Sequence, residues 1–335
     1  MSQRVQLIAL FVLVAAAGAW LGAQEQSTAK PTQEFWIQRA PGGEGYVPPH
    51  KPHTKLSDLK AKHKGQSSWK ETVVKDGESQ ADYVSLAPGT KVSPRLHPAT
   101  PTLFVVFEGE MRWQIENQEE FTAKRGSMVH VPSWTIFSYE VASAVPAVFI
   151  EVNAAHFEPV YPATSPAPAA LPGRVVTKTR FNARRPTPYE APNRPHFNLH
   201  DSIAAGRGGG VFINTPHMYA NANFGFADPN DPANPNRGRV GRGGGRGRGG
   251  APSPIATVNP KVPGGHLHPD NVEWWIVLTG QINAKFEVGE FIASEGDVLY
   301  APPYMLHAMS NYGPGGSCRI AIGWYNPEHF DPVAP

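Results

Sequence analysis

Three histidines and a glutamate fall into a pattern that an extended chain can close upon itself. Between Gly264 and Asn311 the run Gly-Gly-His-Leu-His-Pro-Asp-Asn-Val-Glu-Trp-Trp-Ile-Val-Leu-Thr-Gly is followed, after a spacer, by Gly-Asp-Val-Leu-Tyr-Ala-Pro-Pro-Tyr-Met-Leu-His-Ala-Met-Ser-Asn. Side chains two apart on a strand share a face, so His266 and His268 point the same way. Pro269, Asp270 and Asn271 suit a bend, and Glu273 then opens the apolar run Trp274–Leu278, a buried strand. Gly280 ends it and Gln281–Val288 returns beside it. Turns at Gly289 and at Gly296-Asp297 frame Val298–Ala301, which Pro302-Pro303 stops just before His307. Two returning hairpins bring His307 to His266, His268 and Glu273 inside a small barrel. Three imidazoles and a carboxylate suit one divalent first-row ion: iron, manganese, cobalt, nickel or zinc. Four protein ligands leave positions open on an octahedral ion, which separates a working site from a closed structural one. The bland alternative is a barrel whose histidines are packed or hydrogen-bonded.

The same pattern occurs earlier in the chain without its ligands. Ala81–Val152 reads as short strands with turn signals. Arg95-Leu96-His97-Pro98 aligns with His266-Leu267-His268-Pro269, Thr102 with Glu273 and Gly109 with Gly280. Gly126 aligns with Gly296, Pro132 with Pro302 and Phe137 with His307. This is an internal repeat. Its four ligand positions hold Arg95, His97, Thr102 and Phe137, and one imidazole beside a cation, a hydroxyl and a phenyl ring holds no divalent ion well. The first barrel is expected to be metal-free and to complete the shared fold. A sharper alternative lets Arg95 and His97 bind an anionic or polar ligand, with His130 as a weaker candidate that reads equally as a satisfied strand histidine.

These blocks closely resemble the two cupin motifs, G-x5-H-x-H-x(3,4)-E-x6-G and G-x5-P-x-G-x2-H-x3-N. His266, His268, Glu273 and Gly280 match the first, and Gly296, Pro302, His307 and Asn311 the second. Tyr304 stands where the second motif has glycine, and Pro260 where the first has its leading glycine. The resemblance implies an all-β bicupin: two cupin-type jelly-roll barrels, the C-terminal one with an intact metal motif and the N-terminal one degenerate. It also implies that the three histidines and Glu273 hold the metal and that Glu273 can leave the ion to act as a base. Trp275, Val277, Phe286 and Met305 form the apolar pocket expected around the ion, suited to an aromatic or planar small-molecule substrate. Tyr304, or else Tyr300, is a candidate proton donor.

Fold does not fix function, so three classes stay open. The first is a dioxygenase using iron. The second is a lyase, decarboxylase or isomerase using manganese, zinc or nickel as a Lewis acid. The third is a non-catalytic small-molecule-binding protein.

Composition and order fill in the rest. Proline and glycine number 35 and 33 among 335 residues, favouring short strands and turns. The net charge of +2 gives no field for nucleic acid, and the single Cys318 excludes an internal disulfide or a multi-cysteine metal site. Cys318 reads as a buried strand thiol. Residues 1–23 read as an export signal: Arg4, the apolar Val5–Ala19 and a cleavage position at Ala23. The mature chain is then periplasmic or secreted, without stable membrane insertion, and compatible with a homo-oligomer.

Residues 24–80 form a basic arm with a short helix over Leu56–Lys64. His50, His53 and His63 are read as part of a solvated arm. As in bicupins whose arms wrap the partner barrel, Phe35, Trp36 and Trp69 are candidate packing anchors. The first barrel spans 81–155, a Pro/Ala-rich extended linker 156–196, and the second barrel 197–330. Within the second, Val211–Asn214 is its opening strand, His217, Met218 and Tyr219 are placed at its mouth, and Arg319–Tyr325 is its last strand. An Arg/Gly-rich insertion at 228–250 can build no core and is read as a flexible surface loop.

Overall fold

A computed structural model of the chain describes residues 36–39, 46–98, 100–154, 158–180, 186–206, 208–228, 230–234, 262, 264–269 and 271–323. The export signal, Phe35, His156, His329 and most of the insertion and of the Ile255–Val262 strand lie outside these. The chain divides into two units, Met1–Arg39 and Ala40–Pro335. In the first, residues 36–39 carry no helix or strand and Trp36 is exposed. The second holds both barrels.

The first repeat runs β1 (His53–Thr54), α1 (Leu56–Lys62), β2 (Trp69–Lys75), β3 (Ser79–Leu86), β4 (Lys91–Arg95), β5 (Thr102–Glu108), β6 (Glu110–Ile115), β7 (Phe121–Lys124), β8 (Ser127–Val131), β9 (Phe137–Val141) and β10 (Ala147–Ala154). The second runs β11 (His196–Asn198), α2 (Leu199–Ala204), β12 (Gly210–Thr215), β13 (Met218–Phe226), β14 (Glu273–Thr279), β15 (Gln281–Phe286), β16 (Gly289–Ser294), β17 (Val298–Ala301), β18 (His307–Tyr312) and β19 (Gly316–Gly323). Each barrel pairs a six-stranded sheet with a smaller one. The first has β11-β8-β5-β10-β3-β2 and β4-β9-β6-β7, and the second β1-β17-β14-β19-β13-β12 and β16-β15-β18.

The central strands are apolar on both faces because both faces are covered. Phe104 and Val106 of β5 fill the first barrel, and Trp275 and Val277 of β14 fill the second. The alternate residues Leu103, Val105 and Phe107 meet Trp274, Ile276 and Leu278 in one cluster between the barrels. Burying such a side chain fully contributes about 1.5–3 kcal/mol, so the two large sheets stand as a single core.

Each large sheet ends on a strand from the other repeat. β1 pairs β17, with His53 opposite Leu299, and β11 pairs β8, with His196 opposite Val129. Both leaders read His-x-x-Leu-x-Asp, at His53, Leu56, Asp58 and at His196, Leu199, Asp201. His53 Nε2 lies 2.8 Å from Asp297 Oδ2 and Leu56 N donates to Asp297 Oδ1 at 3.1 Å. His196 Nε2 lies 2.9 Å from Ser127 Oγ, and Leu199 N donates to the Gly126 carbonyl at 2.9 Å. The helices seat on the turn glycines Gly296 and Gly126, both at positive φ, where an added Cβ would meet Leu56 and His200 at 2.4 and 2.3 Å.

The arm is therefore docked rather than solvated. His53 is buried beside Asp297, and His50 stacks on Tyr300 with ring centroids 4.2 Å apart. His63 stacks on the core-packed Trp69. Strand β2, inside the stretch read as arm, is an edge strand of the first barrel. The described linker residues up to Pro195 carry no helix or strand beyond a bridge between Val160 and Leu96 that ties them to that barrel.

Candidate metal centre

β14 starts at Glu273 and β18 at His307, while His266 lies beside the start of β18. A two-way backbone bridge locks them together: His266 N donates to the His307 carbonyl and His307 N to the His266 carbonyl, both at 3.0 Å. Tyr304 N donates to the His268 carbonyl at 2.8 Å and fixes the other histidine. The ligand atoms of His266, His268, Glu273 and His307 all lie within 4.8 Å of one another. Glu273 Oε2 is 2.8 Å from His268 Nε2, 3.2 Å from His307 Nε2 and 3.8 Å from His266 Nε2. Donors about 2.0–2.2 Å from one ion, at right angles to each other, stand about 3 Å apart.

The donor set fits an ion on hydrogen-bond chemistry as well. His307 Nδ1 donates to the Met305 carbonyl at 2.8 Å. A neutral His307 then turns a bare Nε2 lone pair toward a carboxylate oxygen, two acceptors face to face. A cation between them satisfies both, and the Met305 carbonyl is the outer partner that holds the ring in place. Burial pushes the Glu273 carboxyl up, but the hydrogen-bonding imidazoles of His266, His268 and His307 hold it well below the usual carboxylate range. Burial pushes His266 down, toward the neutral form that ligates.

The four expected pocket residues are all buried on the inner face of this barrel. Trp275 and Phe286 meet His307 in T-shaped contacts, at centroid distances of 5.1 and 6.2 Å. Val277 lies one inward step deeper than Trp275, and Met305 supplies the carbonyl just described. The candidate proton donors fare differently. Glu273 opposes Ala301 across β14 and β17, so Tyr300 falls on the outer face, against Tyr46, His50 and Asp76. It points away from the three histidines and Glu273. Tyr304 takes the left-handed conformation (φ 65°) at the motif's glycine position, and its hydroxyl makes no hydrogen bond among the described residues. Its visible role is through its backbone. Met218 is packed into the core between the barrels rather than at a mouth, and His217 is exposed. Cys318 is buried, its thiol pushed up to about 12 by desolvation.

At the corresponding place the first barrel holds an ion pair. Arg95 Nη2 donates to both Glu151 oxygens at 3.1 Å and to the Tyr139 hydroxyl at 3.3 Å, and its guanidinium lies over the Phe137 ring. His97 Nε2 is 3.8 Å from Glu151. Burial raises the Glu151 carboxyl, yet Arg95 outweighs it and holds the group down to about 2. The guanidinium stands where the other barrel has its candidate metal ligands, and an internal acid already fills the anion position expected beside Arg95 and His97. His130 faces outward, between Tyr189 and Phe212, with neither ring nitrogen hydrogen-bonded among the described residues. The sequence reading missed the roles of three residues: His53, taken as part of a solvated arm, Glu151, and Arg319, placed only on the last strand. The shared His-x-x-Leu-x-Asp spacing was the available signal for the first.

The cupin domain model matches the chain twice, over residues 82–153 and 255–323. No curated protein sequence matches it significantly. Among solved structures, a cupin 2 conserved barrel domain protein from Leptotrichia buccalis is 12% identical, over 81% of this chain and 94% of that one, with a TM-score of 0.46. A single-residue variant of Bacillus subtilis oxalate decarboxylase is 15% identical over 83% of this chain and 78% of its own, with a TM-score of 0.43. A structure of the same enzyme described for its Mn(II) centres is also 15% identical, over 87% and 79%, with a TM-score of 0.42. These likenesses are weak. Among the described residues no helix is long and apolar enough to cross a membrane. Two matches to one domain model, each on a barrel built in the same strand order, show that this chain carries two cupin domains, the arrangement of a bicupin.

Proposed function

We propose that this bicupin is an exported metal-dependent enzyme, a dioxygenase acting on a small aromatic or planar carboxylate or phenolic substrate in the C-terminal barrel. The convergence of three imidazoles on one oxygen of Glu273 carries the reading. When bound, a redox-active ion such as iron supplies open coordination positions and an accessible electron. The chain does the rest. Trp275 and Phe286 keep water from His307 and offer a flat apolar wall that suits a ring. Glu273 can accept a proton at Oε2, the oxygen that the imidazoles face, and the Met305 carbonyl prevents His307 from turning away. Export rests on Arg4, the apolar Val5–Ala19 and Ala23.

Metal analysis of the protein, purified from its native compartment without added metal, tests this together with oxygen uptake against phenolic and carboxylate compounds. Iron with uptake is the expected result. Manganese or zinc without uptake replaces the dioxygenase with a lyase, decarboxylase or isomerase. Absence of metal replaces it with a non-catalytic binding protein.

A further inference from the structure

The second barrel contains a cation that the metal site does not use. Arg319 of β19 lies opposite Val277 on β14 and opposite Asn223 on β13. Directly opposed residues share a face, and Val277 belongs to the core inside this barrel, so Arg319 points inward. Its neighbours Cys318 and Ile320 take the other face, into the core between the barrels. Its Nε is shielded from solvent with no hydrogen-bond partner, and the guanidinium has no ion pair among the described residues. Burial pulls the guanidinium down while the charge of Glu273 pulls it back up, so the two groups share one field. A guanidinium held this way is costly to bury unless something pairs with it.

The first barrel shows what a paired arginine looks like here. Glu151, the acid that neutralises Arg95, opposes Phe104, and the residue opposing the equivalent Trp275 is Ala321. A methyl group therefore stands where the other barrel has a carboxylate, one inward step from Arg319. Ala321, Asn221 and Asn223 are only partly buried on this inner wall, so the space in front of Arg319 is open. A divalent ion beside one carboxylate and one guanidinium leaves that space positive.

We propose that Arg319 is the anchor for a substrate carboxylate, and that the substrate of this barrel is a planar monocarboxylate lying between Arg319 and the metal, flat against Trp275. The inference rests on the second barrel being the reaction chamber. The guanidinium fork matches the two oxygens of a carboxylate. It is the sole cationic side chain among the described residues assigned to the inner face, which suits a single negative charge better than a phosphate. The amides of Asn221 and Asn223, 3.5 Å from each other, supply neutral donors beside it.

The test is calorimetric titration of the full metal-loaded chain with benzoate and with phenol, alongside metal content for every variant. Benzoate is expected to bind at least about ten-fold more tightly than phenol. Arg319→Gln should weaken benzoate about ten-fold, the ordinary loss of one charge-assisted pair, leaving phenol and metal unchanged, and Arg319→Lys should recover part. Ala321→Glu keeps Arg319 but supplies the acid found in the other barrel, and should also abolish the preference for benzoate. Equal affinity for the two ligands in the wild type, or unchanged benzoate affinity in both Arg319→Gln and Ala321→Glu, overturns the proposal. If the chain holds no metal yet benzoate still depends on Arg319, the anchor stands and the metal-enzyme reading falls. Metal binding with benzoate indifferent to Arg319 gives the reverse.

Discussion

The two barrels share a strand order and differ in what fills them. In the first, Trp113 packs against Phe104, Phe137 and Tyr139, Phe149 packs against Phe104 and Tyr139, and the remaining polar space is closed by Arg95 and Glu151. In the second, Ala284 sits where Trp113 does, His307 replaces Phe137, Arg319 replaces Phe149 and Ala321 replaces Glu151. One interior is a finished core, with its charges matched internally. The other keeps its small residues and an unmatched positive charge. A repeat can lose its chemistry without losing its fold when aromatic bulk takes over the space and a salt bridge takes over the charge.

That contrast can be broken at graded cost. Removing the internal acid with Glu151→Ala leaves Arg95 buried and unpaired, and should cost about 3–5 kcal/mol in denaturant unfolding. Replacing both partners, as in Arg95→Met with Glu151→Leu, should recover most of it. In the second barrel the corresponding loss is of metal: His268→Ala or Glu273→Ala should lower bound metal about ten-fold or more by elemental analysis, while Thr102→Ala leaves it unchanged. Unaltered metal in both ligand variants would sink the site.

A smaller effect lies between the barrels. Burial holds His130 down to about 3, against an ordinary 6.5, so the folded chain favours the neutral ring. Its contribution is fully present above pH 6.5 and is lost as pH falls from there toward 3, about 1.4 kcal/mol by pH 5.5. His130→Phe should flatten that part of the stability profile. Glu151 behaves differently: its contribution is present above the ordinary carboxylate range and is lost only as pH falls toward 2. The smallest change is at the left-handed tyrosine. Tyr304→Gly removes backbone strain of about 1–2 kcal/mol and adds chain entropy of about 0.5–1 kcal/mol, so the melting temperature should rise slightly with metal content intact. Lost turnover in that variant would restore Tyr304 as a proton donor.

The sequence made the metal centre legible because its ligands follow turn glycines and prolines at fixed offsets, and the same offsets exposed the degenerate copy. What it hid follows from geometry. Tyr300 and Ala301 are neighbours in the chain, and only the register of β17 against β14 decides which faces the ion. Alternation in Arg319-Ile320-Ala321-Ile322 suggests an arginine turned to solvent. The isoleucines, however, face the other barrel, so the polar side is the one turned to the cavity. Glu151 lies beyond the two aligned motif blocks, where nothing marked it as the partner of Arg95. His53 looked solvated because its partner, Asp297, lies far away in the chain.

The crossed leaders, finally, bear on what counts as a module here. Because β1 closes the C-terminal sheet and β11 the N-terminal one, no single cut divides the polypeptide into two self-sufficient halves. Each piece would carry an orphaned strand and miss the one it needs, leaving a bare sheet edge open to unwanted pairing. The halves are clasped like two hands, and each barrel holds a finger of the other.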